Sequence, residues 1–186
     1  CGVLRVRFLT DARQGGLIVS LSREAALRVL ARSDLVCGPD EVAAAVTRMA
    51  GEITARLGSR MPIVLAVMGG GVVFCGQLLP QLGFPLDFDY IHATRYRGAT
   101  SGGSIEWRVR PTQDVRGRTV LVLDDILDEG HTLAAIREAL LEAGAAEVFS
   151  AVFCEKQLAQ DKPVRADFVG VHVPDRYVFG FGMDVH

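Results

Sequence analysis

Residues 120–133, VLVLDDILDEGHTL, hold the densest set of side chains able to do chemistry. An apolar, β-branched run at 119–123 ends at Asp124 and Asp125. Such a run reads as a buried strand, and in an open parallel sheet ligands settle at the carboxyl ends of strands. Two adjacent carboxylates there suit the hydroxyls of a ribose, or a magnesium ion held largely through water. Asp128, Glu129, Gly130, His131 and Thr132 then lead into a helix start. Free backbone N–H groups at that start form a phosphate cradle, with Gly130 permitting close approach and Thr132 adding a hydroxyl. One turn would thus recognise both ends of a sugar phosphate. An acidic helix N-terminus stabilised by the helix dipole explains Asp128 and Glu129, but not two further aspartates closing a buried strand.

The elements that must position this turn alternate along the chain. Ser22 caps a short helix to about residue 31. Over 40–57, Val42, Val46, Met49, Ile53 and Leu57 recur at helical spacing, with Pro39 suited to the first turn. An apolar strand follows at 63–68, then a glycine turn at 69–71 and a helix to about 82. Residues 86–96 read as a strand, 97–104 (RGATSGGS) as a small polar loop, and 105–109 as the returning strand. The strand at 119–123 is followed by the acidic turn, a helix over 131–143 and an apolar strand at 148–153. From Phe168 onward short strand-like pieces alternate with Gly and Pro. Strand–helix–strand repetition predicts an α/β protein with a parallel sheet. No internal repeat or interdomain linker interrupts it, so one domain over 1–186 is expected.

Composition sets bounds on the alternatives. The chain has 186 residues, of which 49% are apolar and 23% charged, a balance opposite to that of a disordered chain. Its net charge of −2, from 20 basic and 22 acidic residues, offers no nucleic-acid footprint. Residues 61–86 carry no charge, long enough to span a bilayer, but Gly and Pro punctuate them, and strand, glycine turn and buried helix is the better reading. Cys1, Cys37, Cys75 and Cys154 lie far apart with no CxxC pair, as in a protein of a reducing compartment. Cys75 and Cys154 sit in apolar runs and are expected in the core. No GxxxxGK[ST], GxGxxG after a strand, GxSxG or HExxH occurs, and the four histidines are scattered.

The segment from the apolar strand through DD, two apolar residues and DEG-x-T resembles the phosphoribosyl-pyrophosphate signature of type I phosphoribosyltransferases. Its DEG variant is most similar to the hypoxanthine-guanine phosphoribosyltransferases. Four further motifs stand in the family's order. Met68–Gly71 matches the early glycine loop, and Thr94, Arg95 and Tyr96 with the following loop match the mobile flap. Lys156 matches a strand-end lysine, and residues 166–184 match the tail ADFVGxxVPDxxxxGxGxD.

The resemblance implies a parallel-sheet phosphoribosyltransferase core with helices on both faces. A small hood would come from about 1–38 and 155–186. It implies magnesium-dependent transfer of phosphoribosyl from phosphoribosyl pyrophosphate to N9 of hypoxanthine or guanine, giving IMP or GMP and pyrophosphate. Asp128 would be the acid/base residue at purine N7. Asp124, Asp125, Glu129, Gly130, His131 and Thr132 would bind the ribose phosphate, and backbone groups of Gly69 and Gly70 the pyrophosphate. Arg95 and Tyr96 would anchor the flap. Ile126, Lys156, Tyr177 and Val178 would bind the purine, and Asp124, Asp125 and Asp184 would hold magnesium. A lysine's donors favour a 6-oxo over a 6-amino purine. The same resemblance implies a homodimer or homotetramer, while the charge balance, the punctuated uncharged stretch and the cysteine usage lead us to expect a cytoplasmic protein that binds neither nucleic acid nor membrane. The sequence departs from the family at Gly69, where lysine is common, at Arg95, where serine is common, and at His131, where lysine or arginine is usual. A catalytically silent regulatory protein on this fold, or a transferase preferring xanthine, are the competing readings.

Overall fold

The computed structural model describes residues 4–7, 22–95 and 105–183. A six-stranded sheet runs β5-β4-β3-β6-β7-β8, formed by β5 (Ile105–Val109), β4 (Asp87–Arg95), β3 (Ile63–Val67), β6 (Thr119–Leu127), β7 (Glu147–Gln157) and β8 (Phe168–Pro174). All neighbours are parallel except β4 and β5, which form an antiparallel edge. β3, IVLAV, is buried at every residue, as expected of a strand covered on both faces.

Helices supply those two covers. On one face, α2 (Pro39–Leu57) and α3 (Gly71–Leu78) pack Val46, Met49, Ile53, Phe74 and Leu78 against Val64, Leu121 and Phe153. On the other, α4 (His131–Glu142) packs Leu133, Ile136 and Leu140 against Ile63, Val120 and Val122. The start of α2 is fixed by Pro39 in its first turn and by Glu41, whose Oε2 accepts from the Gly38 N–H at 2.7 Å. Ser22 Oγ accepts from the Ala25 N–H at 3.2 Å and caps α1 (Arg23–Ala31). α3 gives way to a short 3-10 turn, Leu79–Gln81, at Pro80.

A second, antiparallel sheet of order β2-β1-β9 joins β1 (Leu4–Arg7), β2 (Asp34–Cys37) and β9 (Tyr177–Gly180). It brings the amino-terminal segment and the tail together, while β8 belongs to the main sheet. The tail is tied down by Phe181, whose ring lies 4.1 Å from that of Phe153, itself 5.9 Å from Phe74. Cys37, Cys75 and Cys154 are buried free thiols, and burial pushes the Cys75 thiol up to about 11. Among the described residues, no helix is long and apolar enough to cross a membrane. The uncharged stretch folds as β3, the glycine turn and α3.

Two strands run further than expected. β6 continues to Leu127 and β7 to Gln157, because pairing persists through Asp124↔Val152, Ile126↔Cys154 and Leu127↔Glu155. Asp124 and Asp125 are therefore part of β6, and only 128–130 form the turn.

Candidate active site

The carboxyl end of β6 opens onto a cavity of about 490 Å³ lined by residues 124–133. Asp124 Oδ1 accepts from the Asp125 N–H at 3.0 Å. Burial, reinforced by the neighbouring Asp125 charge, holds the Asp124 carboxyl well above the usual carboxylate range. Two hard oxygen donors suit a magnesium ion whose remaining ligands are water or substrate oxygens. Among the described residues, no group of three or more His, Cys, Asp or Glu is placed to hold a metal. Cys154, buried beneath this pair, has its thiol pushed up by burial and then by Asp125, so it stays protonated.

The raised Asp124 value has a stability consequence. In the native state this carboxyl binds its proton more tightly than in the unfolded chain, where the pKa is about 3.9. Stability of the metal-free protein is therefore expected to fall as pH rises from that value through the raised native one. Asp124→Asn removes the titrating group, so the stability of that variant should not show this fall. Urea unfolding of both proteins between pH 4 and 8 checks it.

The glycines around the acidic pair are there for space. Gly70, at the start of α3, has ordinary helical dihedrals, but a Cβ on it would overlap the Asp125 carboxylate. Gly71 lies against Leu123 O, 3.1 Å from where its Cβ would sit. Gly182, at φ +100°, packs on Gly70, and a Cβ there would come within 2.5 Å of Gly70 O. The tail thus rests on the early loop, and the loop on the acidic pair. The Met68–Gly69 peptide is cis. Gly130 caps α4 in the left-handed region at φ 83°, ψ −2°, which a side chain rarely adopts. The exposed Glu129 and His131 flank it, and Thr132 is half-buried.

Beyond the cradle, Asp128 and Lys156 meet. The Lys156 ammonium donates to Asp128 Oδ2 at 2.6 Å, with the lysine side chain 13% and the aspartate side chain 48% exposed. This juxtaposes the two residues named separately from the sequence. Ile126 packs on the apolar cluster that contains Val178. Tyr177 is half-buried, its ring stacked 6.2 Å from that of Phe179 at 29°. Neither Tyr177 nor Val178 lines the 124–133 cavity. Arg95 ends β4, but its side chain, Tyr96, the 97–104 loop and Asp184 lie outside the described residues. Sequence reasoning passed over Lys162, whose ammonium donates to Lys156 O at 2.6 Å, Glu155 Oε1 at 3.0 Å and Leu127 O at 3.2 Å. It also gave Gly182 no contact with the early loop. The positive φ of Gly182 is invisible in a sequence, and the Lys162 contacts depend on how the 158–167 connection folds back.

The phosphoribosyl transferase domain family matches residues 39–186. The hypoxanthine-guanine phosphoribosyltransferase of Streptococcus pneumoniae is 30% identical over 146 residues, covering 78% of this chain and 81% of that protein. The hypoxanthine-guanine-xanthine phosphoribosyltransferase of Tritrichomonas foetus is 31% identical over 150 residues, covering 79% and 81%. A solved hypoxanthine-guanine-xanthine phosphoribosyltransferase superposes with a TM-score of 0.69 at 28% identity, covering 79% of this chain and 82% of that one. A Staphylococcus aureus hypoxanthine phosphoribosyltransferase shares the fold, with a TM-score of 0.76 at 20% identity, covering 82% and 83%. With the acidic pair, the helix-start cradle and the Asp128–Lys156 pair in one place, the chain belongs to the phosphoribosyltransferase family, among the hypoxanthine-guanine phosphoribosyltransferases.

Proposed function

We propose that the protein is a purine-salvage enzyme that transfers 5-phosphoribosyl from phosphoribosyl pyrophosphate to N9 of hypoxanthine or guanine, giving IMP or GMP and pyrophosphate. The observation that carries this reading is the Lys156–Asp128 pair at 2.6 Å beside the phosphate cradle. A 6-oxopurine needs a donor at O6 and an acceptor for the proton that leaves N7 as N9 bonds to the sugar. Lys156 has donors only, and Asp128 as a carboxylate has acceptors only. The pair is the complement of that edge, and Asp128 serves as general base. The N–H groups at the start of α4 take the 5′-phosphate, and Asp124 and Asp125 take the ribose hydroxyls. Gly69 and Gly70 offer backbone N–H groups to the departing pyrophosphate.

Magnesium fits the Asp124–Asp125 donor set, with Asp184 as a further carboxylate. When bound, it neutralises charge on the diphosphate leaving group. Arg95 and Tyr96 anchor a flap over 97–104 that excludes water from the cationic sugar. Tyr177 stacks on the purine, Ile126 packs from the other side, and the Val178 carbonyl accepts from the guanine 2-amino group. The whole of 1–186 acts as one domain, with a hood from the amino-terminal segment and the tail around the β2-β1-β9 sheet, in a homodimer or homotetramer. Free thiols at Cys37, Cys75 and Cys154 support a cytoplasmic setting.

Xanthine is a second candidate base, favoured by the 31% identity to a relative whose name includes it. A panel of hypoxanthine, guanine, xanthine and adenine with phosphoribosyl pyrophosphate and magnesium tests the reading. The expected result is kcat/KM for hypoxanthine and guanine at least about 10²-fold above adenine. Equal use of adenine would remove Lys156 from its assigned role. Tight binding of phosphoribosyl pyrophosphate with no turnover of any base would favour the regulatory reading.

A further inference from the structure

We infer that Lys162 is a positioning residue, setting the separation of the β6 and β7 ends and thereby holding Lys156 against Asp128. This rests on the role given above to that pair. The parallel ladder between β6 and β7 ends at Leu127↔Glu155. Asp128 and Lys156 lie one residue beyond, where β6 enters its turn and β7 stays paired only with β8 through Lys156↔Val173. Lys162 bridges that gap. Its ammonium donates to Leu127 O, the carbonyl just before Asp128, to the carbonyl of Lys156 itself, and to Glu155 Oε1.

An ammonium has three donors, and all three are used. The side chain is 9% exposed, so this is no solvated surface charge. Glu155 compensates it, and the second oxygen of Glu155 faces His172 Nδ1 at 3.7 Å. The Lys162 stem also reaches the phosphate cradle, with its Cβ 3.5 Å from where a Gly130 Cβ would sit. One buried side chain therefore touches the backbone on both sides of the purine pair and the cap of α4.

A thermodynamic cycle tests the assignment. Steady-state kinetics would be measured for the wild type, Lys162→Met, Lys156→Met and the double variant, varying hypoxanthine and phosphoribosyl pyrophosphate separately. Lys162→Met should lower kcat/KM for hypoxanthine about tenfold or more, leaving KM for phosphoribosyl pyrophosphate unchanged. In the Lys156→Met background the same change should cost less than about twofold, because the side chain it positions is gone. Equal losses in both backgrounds, or a loss falling on phosphoribosyl pyrophosphate, would overturn the assignment. Lys162→Met combined with Glu155→Leu leaves no uncompensated buried carboxylate, so the cycle can be repeated where the single change unfolds the protein. A wild type that turns over no purine would defeat the functional reading, not this one. A crystal structure of Lys162→Met then decides. Lys156 and Asp128 still within hydrogen-bond reach would contradict it, and their separation would support it.

Discussion

Asp128→Asn is expected to lower kcat/KM for hypoxanthine by about 10²–10⁴-fold, the range that a positioned general base contributes. Asn keeps the shape of the side chain but cannot accept the N7 proton as a carboxylate does. The fold should hardly notice. The Asp128 side chain is 48% exposed, and its ion pair with Lys156 is of the partly solvated kind that contributes about 0–1 kcal/mol. Activity and thermal unfolding measured on the same preparation separate these effects. A variant that retains most of its activity would return Asp128 to the role of a helix-start acid.

Gly70→Ala should be nearly as damaging, by a different route. Gly70 has helical dihedrals, φ −62° and ψ −40°, so alanine is conformationally acceptable. The obstruction is the Asp125 carboxylate, which occupies the place of the new methyl group. A side chain can rotate away where a backbone cannot. The fold is therefore expected to survive with a change of about 1 kcal/mol or less, while the displaced carboxylate no longer faces ribose and metal. A loss of roughly 10²-fold in kcat/KM, seen mainly as weaker use of phosphoribosyl pyrophosphate, follows from that misplacement. A large drop in Tm with little change in KM would show that Gly70 serves packing rather than the site.

The contrast between Asp128 and Lys162 shows what the sequence carried. Asp124 and Asp125 stood out because two adjacent acids close a buried apolar strand, whereas Asp128 and Lys156 were singled out only through the resemblance, and the structure sets those two 2.6 Å apart. α2 was legible from five apolar positions at helical spacing, and the structure buries all five. β1 and β2 were not, since four-residue strands draw their regularity from pairing with each other and with β9, which lies some 140 or more residues away in sequence. The ends of β6 and β7 were placed short, because charged residues read as turns until a neighbouring strand pairs with them. Lys162 lies in a polar stretch, QLAQDKPVR, that looks solvated. Only the return of that connection across the strand ends places its ammonium among three oxygens. Gly182 likewise reads as one glycine of a tail motif until its contact with Gly70 O is seen.

The most direct test of the central claim is product analysis after incubating the protein with phosphoribosyl pyrophosphate, hypoxanthine and magnesium. Formation of IMP and pyrophosphate in equal amounts, abolished by Asp128→Asn, is the predicted result. Release of pyrophosphate with free ribose 5-phosphate and no IMP, or no consumption of phosphoribosyl pyrophosphate, would contradict the assignment of Asp128 and Lys156 to the purine.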